Sequence, residues 1–143
     1  MTYLPSIVDA AESSPAAAAE CARLIRKFLY QENWSKPSLQ YNAIMLLRIL
    51  GDNPGPVFTR NINQKFVSAA QTLLRAGRDP SVRMMLMETL DAFEQQKSMD
   101  EGLSGMIAMW AKEKEKAYQA YGVSIMGERS WLVRNEAFPG ANG

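Results

Sequence analysis

The sequence predicts an all-α protein built around one core, and three observations carry that expectation. A capping residue is followed directly by proline at Ser14-Pro15 and again at Asp79-Pro80. That pairing marks a helix start, because the cap side chain takes an early amide and proline loses nothing at the first helical position. Apolar residues recur at three- and four-residue steps in five successive segments, and no segment alternates apolar with polar residues as a half-buried strand would.

The first twelve residues allow a short helix around Leu4 to Ala11. After Ser14-Pro15 the pattern predicts an amphipathic helix. Cys21, Leu24, Ile25, Phe28 and Leu29 form its inward stripe, and Glu20, Arg23, Arg26 and Lys27 its polar side. A further helix opens near Ser35 and Pro37 and runs to about Leu50. Leu39, Ala43, Leu46, Leu47 and Leu50 make one face, and Tyr41, Met45 and Ile49 partly cover another. A helix apolar nearly all round is expected at the centre of a fold. The run Gly51-Asp52-Asn53-Pro54-Gly55-Pro56 ends it.

The next helix spans about Asn61 to Ala76. Ile62, Phe66, Ala69, Ala70, Leu73 and Leu74 face inward, and Gly77 is placed for a left-handed C-cap. Asp79-Pro80 starts another, with Val82, Leu86, Leu90 and Phe93 inward. Ser98-Met99-Asp100-Glu101 fits a capping box, followed by Leu103, Ile107, Trp110 and Ala111 pointing inward. The alternating charges Lys112 to Lys116 continue that helix to about Tyr121, before Gly122. Short turns between helices suggest a stacked, solenoid-like arrangement. Residues 1–122 are expected to form the helical domain and 123–143 a C-terminal tail that carries Trp131, Leu132 and Phe138.

Composition narrows the function. Sixteen basic and fifteen acidic residues leave a net charge of +1, so no global field favours nucleic acid or an anionic bilayer. Cys21 is the one cysteine and there is no histidine, which leaves no intramolecular disulfide, no cysteine cluster, no histidine base and no Ser-His or Cys-His pair. Cys21 lies on the apolar stripe and reads as a buried thiol. Asp79, Glu88, Asp91 and Glu94 read as solvated carboxylates, with Asp79 also a cap. The apolar runs fall short of the ~20 residues that cross a bilayer. A non-enzymatic, cytoplasmic binding module without metal or cofactor is the expectation.

Segments of this chain resemble the VHS domain of the ENTH/VHS superfamily. Ala18 to Phe28 resembles the third family helix, Leu39 to Leu50 the fourth, and Asn53-Pro54-Gly55-Pro56-Val57-Phe58 the turn that follows; Phe66 to Leu74, Val82 to Phe93 and Leu103 to Tyr121 resemble later helices. The likeness is greatest to fungal VHS-GAT endocytic adaptors. It implies a right-handed α-superhelix of about six to seven helices that lacks the first family helix. There is too little chain before Leu4 for that helix, so either the domain is shortened or the chain starts inside a longer one, and Phe93 replaces a customary tryptophan. An apolar groove would then lie open, to be filled by the Trp131-Leu132 tail or by a second copy in a homodimer.

The resemblance implies an adaptor peripheral to endosomes or endocytic sites that binds ubiquitin, ubiquitinated cargo or short adaptor peptides. Carried over by position, the fourth-helix candidates are Asn42, Met45, Arg48 and Ile49, and the sixth-helix candidates are Arg83, Met84 and Met87. For Met45 and Ile49 the alternative is plain packing against neighbouring helices. As in ENTH modules, Arg23, Arg26, Lys27, Arg60 and Lys65 offer a basic face for a phosphoinositide and peripheral membrane association. A third alternative is a relative that reads phosphorylated polymerase tails through Arg75, Arg78 and Arg83.

Overall fold

Two prolines and two capping side chains set the helix starts where the sequence puts them. The computed structural model describes residues 4–121. Among these the chain forms seven α-helices: α1 (Leu4–Ser13), α2 (Pro15–Leu29), α3 (Pro37–Asp52), α4 (Pro56–Thr59), α5 (Gln64–Ala76), α6 (Pro80–Gln96) and α7 (Ser104–Tyr121). Short 3-10 turns at Gln31–Asn33 and Glu101–Leu103 precede α3 and α7, and the described residues contain no strand. The Ser14 hydroxyl accepts the Ala17 amide (3.0 Å) and the Asp79 carboxylate the Val82 amide (3.0 Å), as the cap-then-proline pattern predicts. The tail from Val123, with Trp131 and Leu132, lies outside the described residues.

The C-terminus of α2 shows why its neighbours sit where they do. The last carbonyls of a helix have no partner inside it. Here side chains from the following segments take three in a row: Asn33 Nδ2 donates to the Lys27 carbonyl (3.0 Å), Gln40 Nε2 to Phe28 (3.1 Å) and Trp34 Nε1 to Leu29 (3.2 Å). This accounts for a fully buried glutamine on the inward face of α3.

That face differs from the expected one. Gln40, Ala43, Ile44, Leu47, Leu50 and Gly51 point inward, while Leu39 is 39% exposed and Leu46 half-buried. On α2 the buried residues are Ala18, Ala22, Ile25 and Leu29; Leu24 is 38% exposed, and Cys21 and Phe28 are half-buried. The small alanines face the neighbouring helices and let the backbones approach, which rotates the bulkier residues toward the rim.

Between α3 and α5 the chain turns through a cis Asn53-Pro54 bond and Gly55 at φ +74°, a left-handed conformation open to glycine. The four-residue α4 then forms where a plain turn was expected, and α5 begins at Gln64 rather than about Asn61, capped by Asn63, whose Oδ1 accepts the Phe66 amide (3.0 Å). Gly77 is not left-handed: it is extended at φ −60°, ψ 144°. Close approach explains the glycine, since a Cβ there would lie 2.5 Å from the Leu73 carbonyl oxygen.

The expected capping box at Ser98 is also replaced. Asp100 caps the Glu101–Leu103 turn through the Gly102 amide (2.9 Å), and its carboxylate also accepts the Thr59 hydroxyl (2.8 Å), tying α4 to the start of α7. Leu103 of the 3-10 turn is buried, and along α7 Met106, Met109 and Trp110 are buried, Ile107 is half-buried and Ala111 is exposed.

Helix α6 occupies the middle. It packs against α3, α5 and α7, and between Val82 and Glu94 none of its residues is exposed. Helix α7 runs alongside α5. Glu113, 5% exposed, accepts from Arg75 Nε (2.9 Å) and Nη2 (2.8 Å), so the charge-alternating stretch has one member inside. Burial would raise the Glu113 pKa, but the hydrogen bonds and charge of Arg75, helped by Gln71 and Lys116, outweigh it and lower it below 4.5.

Two outcomes are expected. Gln40→Ala should lower stability by about 1–3 kcal/mol by orphaning the Phe28 carbonyl, read as a lower denaturant midpoint with an unchanged slope. Because the folded pKa of Glu113 is depressed, its contribution is present above the unfolded value and is lost as pH falls through the folded one. Glu113→Gln should therefore be less stable at neutral pH and lose less stability on acidification, measured by urea unfolding across the acid range.

Candidate interaction surfaces

The outward side of α3 carries an i, i+4, i+8 ridge of apolar side chains: Tyr41, 40% exposed, then Met45 and Ile49, both half-buried. Exposed Asn42 and Arg48 flank it, and beyond them Asp52 pairs with Lys97 (2.8 Å). The four fourth-helix candidates thus share the face opposite the buried one, and Tyr41 extends it. Its four-residue step from Met45 was the available signal for Tyr41.

The sixth-helix candidates fare differently. Arg83 is 4% exposed and Met87 2% exposed, so neither is offered to a partner; Met84 is half-buried against the core. Their burial follows from the central place of α6, which its own weakly patterned sequence does not reveal. Burial lowers the Arg83 pKa. The three arginines considered for phosphorylated tails are not brought together as free cations: Arg75 is held by Glu113, Arg83 is internal, and Arg78 alone is exposed without either.

Two of the basic residues of α2, Arg23 and Arg26, line a polar cleft of about 230 Å³ between α2 and the chain entering α5. Arg23, Arg26, Asn61, Asn63 and Phe66 line it. Arg23 is bridged to Glu20 through two hydrogen bonds, Nε to Oε1 (2.9 Å) and Nη2 to Oε2 (2.6 Å). Hydrogen bonding to Arg23 lowers the Glu20 pKa. The Nε of Arg26 is buried and finds no acceptor among the described residues. Lys27 and Arg60 are exposed beside these positions in the chain, whereas Lys65 belongs to a different groove. That groove, about 380 Å³, lies between the end of α2 and α5 and is lined by Leu29, Tyr30, Trp34, Lys65, Ala69 and Thr72.

The four acidic residues considered for paired-carboxylate chemistry are dispersed. Asp79 caps α6, Glu94 pairs with Lys114, Glu88 is half-buried, and Asp91, expected in solvent, is buried and accepts from Gln95 Nε2 (2.8 Å). Among the described residues no three histidine, cysteine or acidic groups could hold a metal ion, and no helix is long and apolar enough to cross a membrane. No family model, curated protein or solved structure matches this chain.

Burial, with the neighbouring Glu20 charge, pushes the Cys21 thiol pKa up, which leaves little reactive thiolate near neutral pH. Alkylation of Cys21 in the folded protein should run several-fold slower than that of a free thiol and reach the free rate in denaturant; equal rates would contradict this environment.

Proposed function

We propose that this chain is a VHS-like helical superhelix that serves as a non-catalytic protein-binding adaptor in endocytic or endosomal traffic. It grips ubiquitin, or a short cargo or adaptor peptide, through the outer face of α3. The observation that carries the reading is the apolar ridge Tyr41, Met45 and Ile49 with Asn42 and Arg48 beside it. An apolar centre with a polar rim is the usual anatomy of a protein interface. The resemblance of Ala18 to Phe93 to VHS helices, which places ubiquitin on the equivalent helix, supports it, as does the absence of any histidine to act as a base or metal ligand.

A ridge of three side chains on one helix is a small surface, so affinity per site is modest and useful binding draws on further modules or on multivalency. Titration of isotope-labelled protein with ubiquitin should shift the amides around Tyr41, Met45, Arg48 and Ile49. Ile49→Ala should weaken binding about tenfold while leaving the rest of the amide spectrum in place. Shifts confined to other faces, or none, would remove the ubiquitin reading.

A further inference from the structure

The groove between the end of α2 and α5, about 380 Å³, has an apolar floor and a polar rim that carries a single charge. Leu29, Trp34 and Ala69 form the floor, and all three are buried. Trp34 has committed its indole N–H to the Leu29 carbonyl (3.2 Å), so its ring offers the groove apolar surface alone. Tyr30, 37% exposed, sets a second aromatic ring at the edge. Lys65 is the one charged residue among those lining it; it is exposed, and no carboxylate among the described residues holds it.

These features specify an occupant. An apolar body belongs on the floor, and a ring is favoured over an aliphatic chain, because aromatic pairs gain from offset and edge contacts that an aliphatic group cannot make. A volume near the lower end of the ~300–1,000 Å³ that encloses small ligands suits one compact group. Charge complementarity with Lys65 asks for an anion, and the first turn of α5, which has no acidic residue, favours the same sign. No guanidinium lines the groove, so it lacks the planar fork that suits phosphate, whereas a lone ammonium is enough for a carboxylate. Lys65 and Ala69 stand one helical turn apart, about 6 Å along the axis, so the ring and the carboxylate of the occupant must be close together. The last residue of a polypeptide carries both groups when its side chain is aromatic.

We propose that this groove captures the aromatic C-terminal residue of a partner polypeptide, its ring on Leu29, Trp34 and Ala69 and its carboxylate on Lys65. Terminal carboxylates are a recurring handle in peptide recognition. The Gln31 and Gln64 carboxamides at the rim take the peptide group that precedes the last residue. No residue of the α3 ridge lines the groove, so occupancy of one surface leaves the other open. The site goes beyond the adaptor reading, and its failure and the failure of that reading are separate results.

The test is a titration of the isotope-labelled full chain with a short glycine-serine peptide ending in tryptophan, followed by NMR. Saturable shifts are expected at the Trp34 indole N–H and at the amides of Lys65, Ser68 and Ala69. Converting the peptide carboxylate to its amide should weaken binding about threefold to fivefold, and in Lys65→Gln the acid and amide forms should bind alike. A peptide ending in leucine should bind several-fold more weakly than the one ending in tryptophan. Lys112→Gln, which removes an equal charge from the exposed side of α7, should match the parent. The comparison of acid with amide is made on the parent chain, so it does not depend on any variant folding. Absence of saturable shifts at the groove, equal affinity for the two forms, or equal affinity for the leucine-ended peptide overturns the proposal, and none of these results bears on binding at α3.

Discussion

The C-terminal end of α2 is the constraint around which the first half of the molecule is arranged. Three consecutive carbonyls there each take a side-chain donor from within the next eleven residues, Asn33, Trp34 and Gln40, with the Lys27 carbonyl also accepting the Tyr30 amide (3.3 Å). Satisfying them fixes the 3-10 turn, brings the indole of Trp34 under α2, and sets the rotation of α3 so that Gln40 faces inward. With that rotation chosen, Ile44, Leu47 and Leu50 enter the core and Tyr41, Met45 and Ile49 are left facing out. The outward ridge is thus a by-product of how a helix end is capped.

The second half is organised by α6, wrapped by three neighbours and so barred from surface roles. Its polar members Arg83, Thr89 and Asp91 are interior groups. Thr89 bonds to the Met85 carbonyl one turn back (2.8 Å), and Asp91 receives the Gln95 amide. Surfaces open for recognition among the described residues include the outer side of α3, the grooves on either side of α5, where α2 and α5 do not close completely, and a groove between the starts of α3 and α6 lined by Pro37, Tyr41, Asp79 and Ser81.

Local chemistry was readable in the chain wherever one residue decides the outcome. Ser14 and Asp79 cap because their oxygens reach amides three residues on, and the α5 stripe from Phe66 to Leu74 is buried as its spacing demands. Properties set between helices were not. The rotation of α2 depends on Ala18 and Ala22 packing closely, and alanine carries little weight in an apolar pattern. Gly77 is needed because Leu73 crowds it, a contact with no trace in its immediate neighbours. The candidate surface divides the same way. Asn42, Met45, Arg48 and Ile49 share a face by helical spacing alone, whereas the burial of Arg83 and Met87 is decided by the helices around them. The cleft beside Arg26 combines side chains some thirty-five residues apart in the chain, and only the arginines suggested it.

On α7 Ala117 is buried, and among the described side chains that follow it Tyr118 (52% exposed), Gln119 and Ala120 are exposed. With a rise of about 1.5 Å per residue, Tyr121 stands roughly 12 Å along the axis beyond the Glu113 anchor. Helix α7 is therefore a cantilever, rooted in the body by Trp110 and Glu113 and exposed from Tyr118 to Ala120. A substitution at Tyr118 or Gln119 would go unnoticed by the core, whereas one at Trp110 or Ala117 would reach it directly.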